Sequence, residues 1–480
     1  MTLLATVERV REAERASGLP EGVLIDRAST AVARRAAAML GRVYGARLLV
    51  VAGPGHNGAD ALWAAAKLAD RGASADIVLP LGEPRDEHGT APLRRLLRAP
   101  RTARRQEWLR HYDLILDGVL GTGARLWDGE PPGWTDAFAG APVLAVDVPS
   151  GVDATTGQAA PGAVRADVTV TFGAAKTGLY LGAGAAHAGL VEVAPIGLSL
   201  AGPDGVAVLV GDPPTIATLT DAGLASIALR PPGHEADKYR RGVVGVVAGS
   251  EAYPGAAALA CRGAQRAGCG YVRLVAPRAV ADAVRAAYPE VVATERGGDL
   301  PKADVWVVGP GLGDDADAVR AVLATGRPVV VDADAIALVD RAALRPDVVL
   351  TPHTGEFERL IGVARADAER DRLGVTRRAA AELGCTVLLK GTTTVVVGAD
   401  GAAYVNPTGT PWLGTAGTGD VLSGVVAAFL TRVPPALAAA SAAWLHGLAG
   451  RLAAGSPGAA VTALDVAESL PAAARIALAP

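Results

Sequence analysis

Short apolar runs, each closed by glycine, an acid or a hydroxyl residue, recur along the whole chain. Residues 47–52, 75–80, 113–116, 143–146 and 168–172 are such runs in the first half. Residues 243–248, 272–276, 305–308, 328–331, 348–350, 387–389 and 402–405 follow in the second. Runs of this length, rich in Val and Leu and bounded by turn formers, read as buried strands. Between them the pattern changes to a helical period. Over residues 22–39, Ile25, Ala28, Val32, Ala36 and Met39 form one stripe, with Arg34 and Arg35 off it. Strands alternating with helices predict an α/β chain with mostly parallel sheets, whose ligands bind at the carboxyl ends of the strands. Residues 197–220, spotted with Pro and Gly, read as a linker and divide the chain into domains 1–212 and 213–480.

One stretch breaks the pattern most sharply. Residues 406–424 are dense in Gly and Thr and bring a lone acid, Asp420, to the mouth of an apolar helix expected over 421–432. A loop of small residues at a helix start gathers unpaired N–H groups at the positive end of the helix dipole, which suits phosphate. A carboxylate beside phosphate is repelled unless it takes a proton from a hydroxyl that attacks phosphorus. The alternative is a Gly-rich turn in which Asp420 only caps the helix.

Composition narrows the partners. The 480 residues carry a net charge of −3 with interspersed signs and no basic run with interleaved aromatics, so neither nucleic acid nor an acidic membrane is expected. Cys261, Cys269 and Cys385 are odd in number and match no zinc spacing; they read as reduced core residues of a cytoplasmic protein. Glu8, Glu12 and Glu14 stand where a signal peptide needs an apolar run. A homo-oligomer is expected.

In the first half, residues 53–60 literally fit Gly-x-Gly-x-x-Gly, a weak signal alone. His56, Asn57 and Asp60 crowd the loop, so it reads as binding through side chains; a tight turn with left-handed Asn57 and a capping Asp60 is the bland alternative. The following strands end at Asp117, at Asp147 with Ser150, and at Lys176. Asn57, Asp117 and Ser150 form a hard-oxygen set suited to an alkali or alkaline-earth cation.

Residues 57–60, 116–123 and 146–153 resemble the NAD(P)H-hydrate epimerase domain, over roughly residues 6–203. The resemblance implies a Rossmann-like fold and a potassium ion at Asn57, Asp117 and Ser150. It implies hydrated nicotinamide nucleotide bound by Asn57, Gly58, Ala59 and Asp60, by Gly121, Thr122, Gly123, Ala124, Arg125, Leu126 and Trp127, and by Asp147. Asp147 or Asp117 would then serve the proton chemistry at C6. His56, Ala59 and Ala61 stand where the family usually has Asn, Gly and Gly, which predicts a narrower pocket.

In the second half, residues 253–257, 309–313, 351–357, 390–394, 406–409 and 416–420 resemble, in order, the motifs of the ADP/ATP-dependent NAD(P)H-hydrate dehydratase, a ribokinase-like group. The match runs from about 229 to 470. It implies nucleotide bound by Lys390, Gly391, Thr392, Thr393, Thr394 and Gly419, and hydrated nicotinamide facing Ala256, Gly311, His353 and Asp420. Read from the residues alone, His353 equally suits a core histidine and Lys390 a solvated rim. The expected architecture is two three-layer αβα domains, N-terminal Rossmann-like and C-terminal ribokinase-like. The implied function is epimerisation of the R and S hydrates of NADH and NADPH, then dehydration of the S form with ADP as phosphate donor and magnesium on its phosphates, releasing AMP and phosphate. A ribokinase-like small-molecule hydroxyl kinase with a non-catalytic N-terminal module is the alternative.

Overall fold

The computed structural model describes residues 2–97, 111–123, 126–198, 216–229, 231, 233–479. The chain forms two compact units, 3–216 and 217–480. The boundary expected at 212/213 lies outside the described residues.

The first unit is built on a parallel sheet in the order Ser74–Val78, Arg47–Ala52, Leu114–Gly118, Val143–Val146, Val168–Phe172, Leu190–Ala194. Alternate strand residues feed opposite faces, as the pleat requires. Leu48, Val50, Leu114, Leu116 and Leu144 pack under helices Glu21–Leu40 and His56–Ala69. Leu49, Val51, Ile115 and Val143 pack on Tyr112, Trp134 and Ala137. Both faces are dry, which explains why these strands are continuous apolar runs. After Arg47–Ala52 the chain crosses to one side of the sheet and returns on the other at Leu114–Gly118. Their carboxyl ends therefore open a crevice at a topological switch point. A separate parallel pair, Thr2–Ala5 with Ala175–Lys176, leads into helix Val7–Ser17.

The second unit repeats the plan on a longer sheet: Val292–Glu295, Tyr271–Ala276, Val243–Val247, Val305–Val308, Val329–Val331, Val348–Leu350, Thr386–Leu389, Thr394–Val397, Ala403–Asn406, Ile216–Leu219. Among the described residues, the pairings of Thr394–Val397 with its two neighbours are the antiparallel ones. Helices Pro254–Arg266, Thr418–Leu430, Pro435–Ala454 and Ala463–Leu478 bury Val244, Val246, Leu274, Val307 and Leu388 on one face. The alternate residues Val247, Trp306, Val308, Val331 and Leu350 are equally buried. Here the switch point lies between Val243–Val247 and Val305–Val308, where the Gly249 N–H donates to the Pro310 carbonyl at 2.9 Å.

Candidate active site

In the first unit, helix His56–Ala69 begins directly after strand Arg47–Ala52 and its Gly55 cap. Asn57 is thus a first-turn helical residue and Asp60 lies one turn further in; neither the left-handed Asn57 nor the capping Asp60 of the turn reading is found. A side chain at Gly58 would put its Cβ 1.9 Å from the Gly53 carbonyl oxygen, so this close approach requires glycine. The three residues that depart from the family's usual loop take different environments. Ala59 and Ala61 are buried, with the Ala61 methyl packed against Gly118. His56 points to solvent, its Nε2 lying 2.7 Å from Glu21 Oε1.

Asn57, Asp117 and Ser150 do come together. The Asn57 amide donates to the Leu120 carbonyl at 2.9 Å, and the Leu120 N–H donates to Ser150 Oγ at 2.9 Å. Ser150 donates to Asp117 through Oγ at 2.6 Å and through N at 2.7 Å. Asp117 is fully buried, and burial pushes its carboxyl up to about 6 despite these bonds. A buried carboxylate with no cationic side chain on it among the described residues, ringed by amide, hydroxyl and carbonyl oxygens, fits a weakly hydrated monovalent cation.

Asp147 occupies a different corner. It ends strand Val143–Val146 with φ +65, a strained conformation for a residue with a side chain. Lys176 Nζ, itself 1% exposed, lies 2.5 Å from Asp147 Oδ1 and also donates to Thr171 Oγ1 and the Phe172 carbonyl, both at 2.9 Å. Asp60 is buried nearby, and its carboxyl is pushed well up by burial, then by the charges of Asp147 and Glu14. Sequence reasoning noted Lys176 at a strand end but gave it no role, and gave none to Glu14. The rarity of lysine in the chain was the one available signal. Trp127 donates from Nε1 to the Pro161 carbonyl at 2.9 Å and packs over Gly151, beside Ser150. Gly121 packs against Asn57 and Gly123 against Arg11; Ala124 and Arg125 lie outside the described residues.

In the second unit, helix Thr418–Leu430 starts earlier than expected. Gly417, at φ +88, is its cap and supplies no side-chain acceptor. Asp420 therefore sits within the first turn and does not cap the helix, whose first N–H groups face the loop. Lys390 Nζ lies over this helix start: a Cβ at Gly419 would be 3.3 Å from it. The same ammonium is 2.7 Å from Asp332 Oδ1 and 3.8 Å from Glu356 Oε2. Its side chain is 19% exposed and ion-paired, not a solvated rim. Burial alone would raise the Asp332 carboxyl, but the Lys390 charge and hydrogen bonds from Lys390, Ser423 and Thr351 outweigh it and hold Asp332 low. Asp420 has no such clamp. Burial, then the charges of Asp332, Asp334 and Glu356, push it up to about 7, with Lys390 only partly opposing.

His353 is exposed and caps helix Thr354–Ile361, its Nδ1 accepting from Gly355 N at 2.9 Å and Glu356 N at 3.2 Å. It is not a core histidine. Gly311, at φ +59, approaches so closely that an added Cβ would stand 2.8 Å from that of Ala256. A cleft of about 470 Å³ lined by Gly313, Asp334, Leu338, Arg341, Glu356 and Arg359 meets this corner through Glu356, and its walls do not include Ala256, Gly311, His353 or Asp420. Two arginines with no local sequence signature brace the loops. Arg372, 3% exposed, donates to the carbonyls of Leu389 at 3.1 Å, Lys390 at 2.8 Å and Thr393 at 3.2 Å. Arg451 donates to the carbonyls of Thr408, Pro407 and Gly409. Gly409 in turn packs on Thr392, its Cβ position 2.0 Å from the Thr392 carbonyl oxygen. Residues 390–394, 406–409 and 417–420 thus form one rigid, N–H-rich cradle with a lysine over it and a raised carboxyl at its rim.

Comparison with known proteins assigns families to the two halves of the chain. Residues 21–178 match the family described as YjeF-related protein N-terminus, and residues 244–472 the family described as NAD(P)H-hydrate dehydratase. A bifunctional NAD(P)H-hydrate repair enzyme of Mycobacterium leprae is 40% identical over 474 residues, covering 94% of this chain and 94% of the relative. One from Pyrobaculum aerophilum is 36% identical, covering 95% and 94%. Among solved structures, the ADP/ATP-dependent NAD(P)H-hydrate dehydratase from Bacillus subtilis, co-crystallised with ATP and Mg2+, is 28% identical with a TM-score of 0.50. It covers 54% of this chain and 99% of that one.

Proposed function

The chain belongs to the bifunctional NAD(P)H-hydrate repair enzymes, and from that premise we propose a division of labour between its two units. The first interconverts the R and S epimers of NADH or NADPH hydrated at C6. The second dehydrates the S epimer at the expense of ADP. The observation that carries the second assignment is Asp420, raised to about 7 at an uncapped helix start beside Lys390.

Asp420 takes the proton of the C6 hydroxyl, whose oxygen attacks the terminal phosphorus of ADP. The bond to the leaving AMP breaks, and the N–H groups of the helix start and Lys390 receive the charge that develops on phosphate. Loss of phosphate from C6 and of a proton from C5 then re-forms the ring double bond. Ala256, Gly311 and His353 border the nicotinamide; Gly391, Thr392, Thr393, Thr394 and Gly419 hold the nucleotide. Magnesium, entering with the nucleotide, supplies charge neutralisation at its phosphates.

In the first unit Asn57, Asp117 and Ser150 would hold potassium, which would supply a fixed positive charge to the site. Gly58, Ala59, Asp60, residues 121–127 and Asp147 would line the hydrated ring. We further propose that the protein acts in the cytoplasm as a homo-oligomer; its three buried free cysteines support the reducing compartment, and light scattering of the purified protein reads the assembly.

The test is to incubate the protein with hydrated NADH and ADP, or ATP in parallel, and follow the return of reduced-nicotinamide absorbance. Recovery of NADH with stoichiometric AMP and phosphate is expected. A stable phosphorylated alcohol in place of NADH would overturn the dehydratase assignment. Pure R epimer that never declines would overturn the epimerase one.

A further inference from the structure

The epimerase crevice holds a carboxyl that the fold does not use. Asp60 is 7% exposed, and among the described residues its Oδ1 is buried without a hydrogen-bond partner. A buried unpartnered oxygen costs about 1–3 kcal/mol, so a side chain kept in that state answers to something other than stability. Its neighbours are placed by three separate elements. Asp147 comes from the end of strand Val143–Val146 and Lys176 from the Ala175–Lys176 pair. Glu14 comes from helix Val7–Ser17, and Arg11 and His56 face Glu14. Lys176 is spoken for: its ammonium donates to Asp147, Thr171 and Phe172. Asp147 is therefore the member of the group paired with an ammonium, while among the described residues the charges that act on Asp60 are those of Asp147 and Glu14, both of like sign.

Resting on the epimerase reading above, we propose that Asp60 is the proton donor of the epimerisation and that Asp147, clamped by Lys176, is its proton acceptor. The carbon to be inverted bears both a hydroxyl and the ring nitrogen N1. Asp60 gives its proton to the C6 hydroxyl, the C–O bond breaks with its electron pair, and water leaves. The N1 lone pair forms the C6=N1 double bond in its place. Water then adds to the opposite face: a new C–O bond forms, the double-bond pair returns to N1, and Asp147 takes the surplus proton. Proton exchange with solvent restores Asp60 as the acid and Asp147 as the carboxylate. No oxidant, reductant or co-substrate is needed. The positive charge on N1–C6 midway is matched by the carboxylates around it. Burial and the two neighbouring carboxylates keep Asp60 protonated well above the ordinary carboxyl range, as a donor requires.

The test uses the full-length protein and pure R epimer, with conversion to S read by its ADP-dependent dehydration. Asp60→Asn is expected to slow epimerisation at least about 100-fold, leave dehydration of S epimer unchanged, and melt no lower than the parent. The parent's epimerisation should fall as pH rises through the Asp60 titration, and the residual activity of Asp60→Asn should lack that fall. In water enriched in heavy oxygen, the product should carry the label at C6. An Asp60→Asn protein within about threefold of the parent, an alkaline fall that persists in it, or unlabelled product overturns the proposal. Should Asp60→Asn melt early, Asp60→Glu decides: it must epimerise with its alkaline fall displaced, and an undisplaced fall overturns the assignment. A parent protein that never consumes R epimer sinks the epimerase reading itself, which is a distinguishable result.

Discussion

Asp420→Asn separates a catalytic base from a helix cap in one variant. The carboxyl is pushed from 3.8 to about 7 by burial and by the charges of Asp332, Asp334 and Glu356. A group whose folded value is raised favours folding when protonated. Its contribution is present below the ordinary carboxyl value and is lost as pH rises through about 7. The difference corresponds to roughly 4 kcal/mol as a ceiling. Asp420 is partly exposed, so solvent screening reduces this to about 1–2 kcal/mol. Asn cannot ionise and escapes the penalty. The variant should therefore melt about 2–6 °C higher than the parent at pH 8 and no higher at pH 4. A cap replaced by Asn would move neither value. Dehydration should fall by about 10²–10⁴-fold, the usual share of a general base. In the parent, kcat/KM should rise about tenfold per pH unit up to neutrality and then level. Differential scanning fluorimetry at the two pH values and absorbance recovery across pH read both halves. A variant that keeps more than about a tenth of the activity, or a parent profile flat through neutrality, would refute the base assignment.

Other perturbations follow from the same geometry. Arg372→Met leaves three loop carbonyls without their buried donor and should destabilise the second unit by about 3 kcal/mol, with a raised KM for ADP read in steady-state assays. Lys390→Met strands the buried Asp332 carboxylate as well as removing the phosphate contact, so it should cost about 3–5 kcal/mol and abolish nucleotide-induced stabilisation in a thermal shift. Exchanging lithium for potassium should raise the melting temperature of the parent and accelerate epimerisation; in Asp117→Asn both responses should vanish.

How much of this was legible beforehand follows the physics of each element. Strands buried on both faces announce themselves, and the runs at 47–52, 143–146 and 168–172 match the observed Arg47–Ala52, Val143–Val146 and Val168–Phe172 residue for residue. Edge elements do not. Leu190–Ala194 is exposed or half-exposed throughout and shows no apolar run, and Thr2–Ala5 is too short to carry a period. The helix at Asp420 was misplaced by three residues because its start depends on the backbone of Gly417, which offers no polar side chain to mark it. Arg372 and Arg451 bind carbonyls 17–44 positions away, and a long-range brace of that kind leaves no local pattern.

The two units share one electrostatic device, and only the structure reveals it. Sequence shows acids at strand ends but not which of them a lysine neutralises. In the second unit Lys390 clamps Asp332, and the Asp332 charge then helps raise unclamped Asp420. In the first, Lys176 clamps Asp147, and the Asp147 charge helps raise unclamped Asp60. Burial alone would tend to protonate every carboxyl in such a crevice. In each unit a lysine pairs with one acid, and the charge of that acid raises an unpaired neighbour. Lys176→Met leaves the buried Asp147 without its ion-pair partner, so epimerisation of pure R epimer should fall steeply while dehydration of S epimer is unchanged, even though neither carboxyl has been replaced.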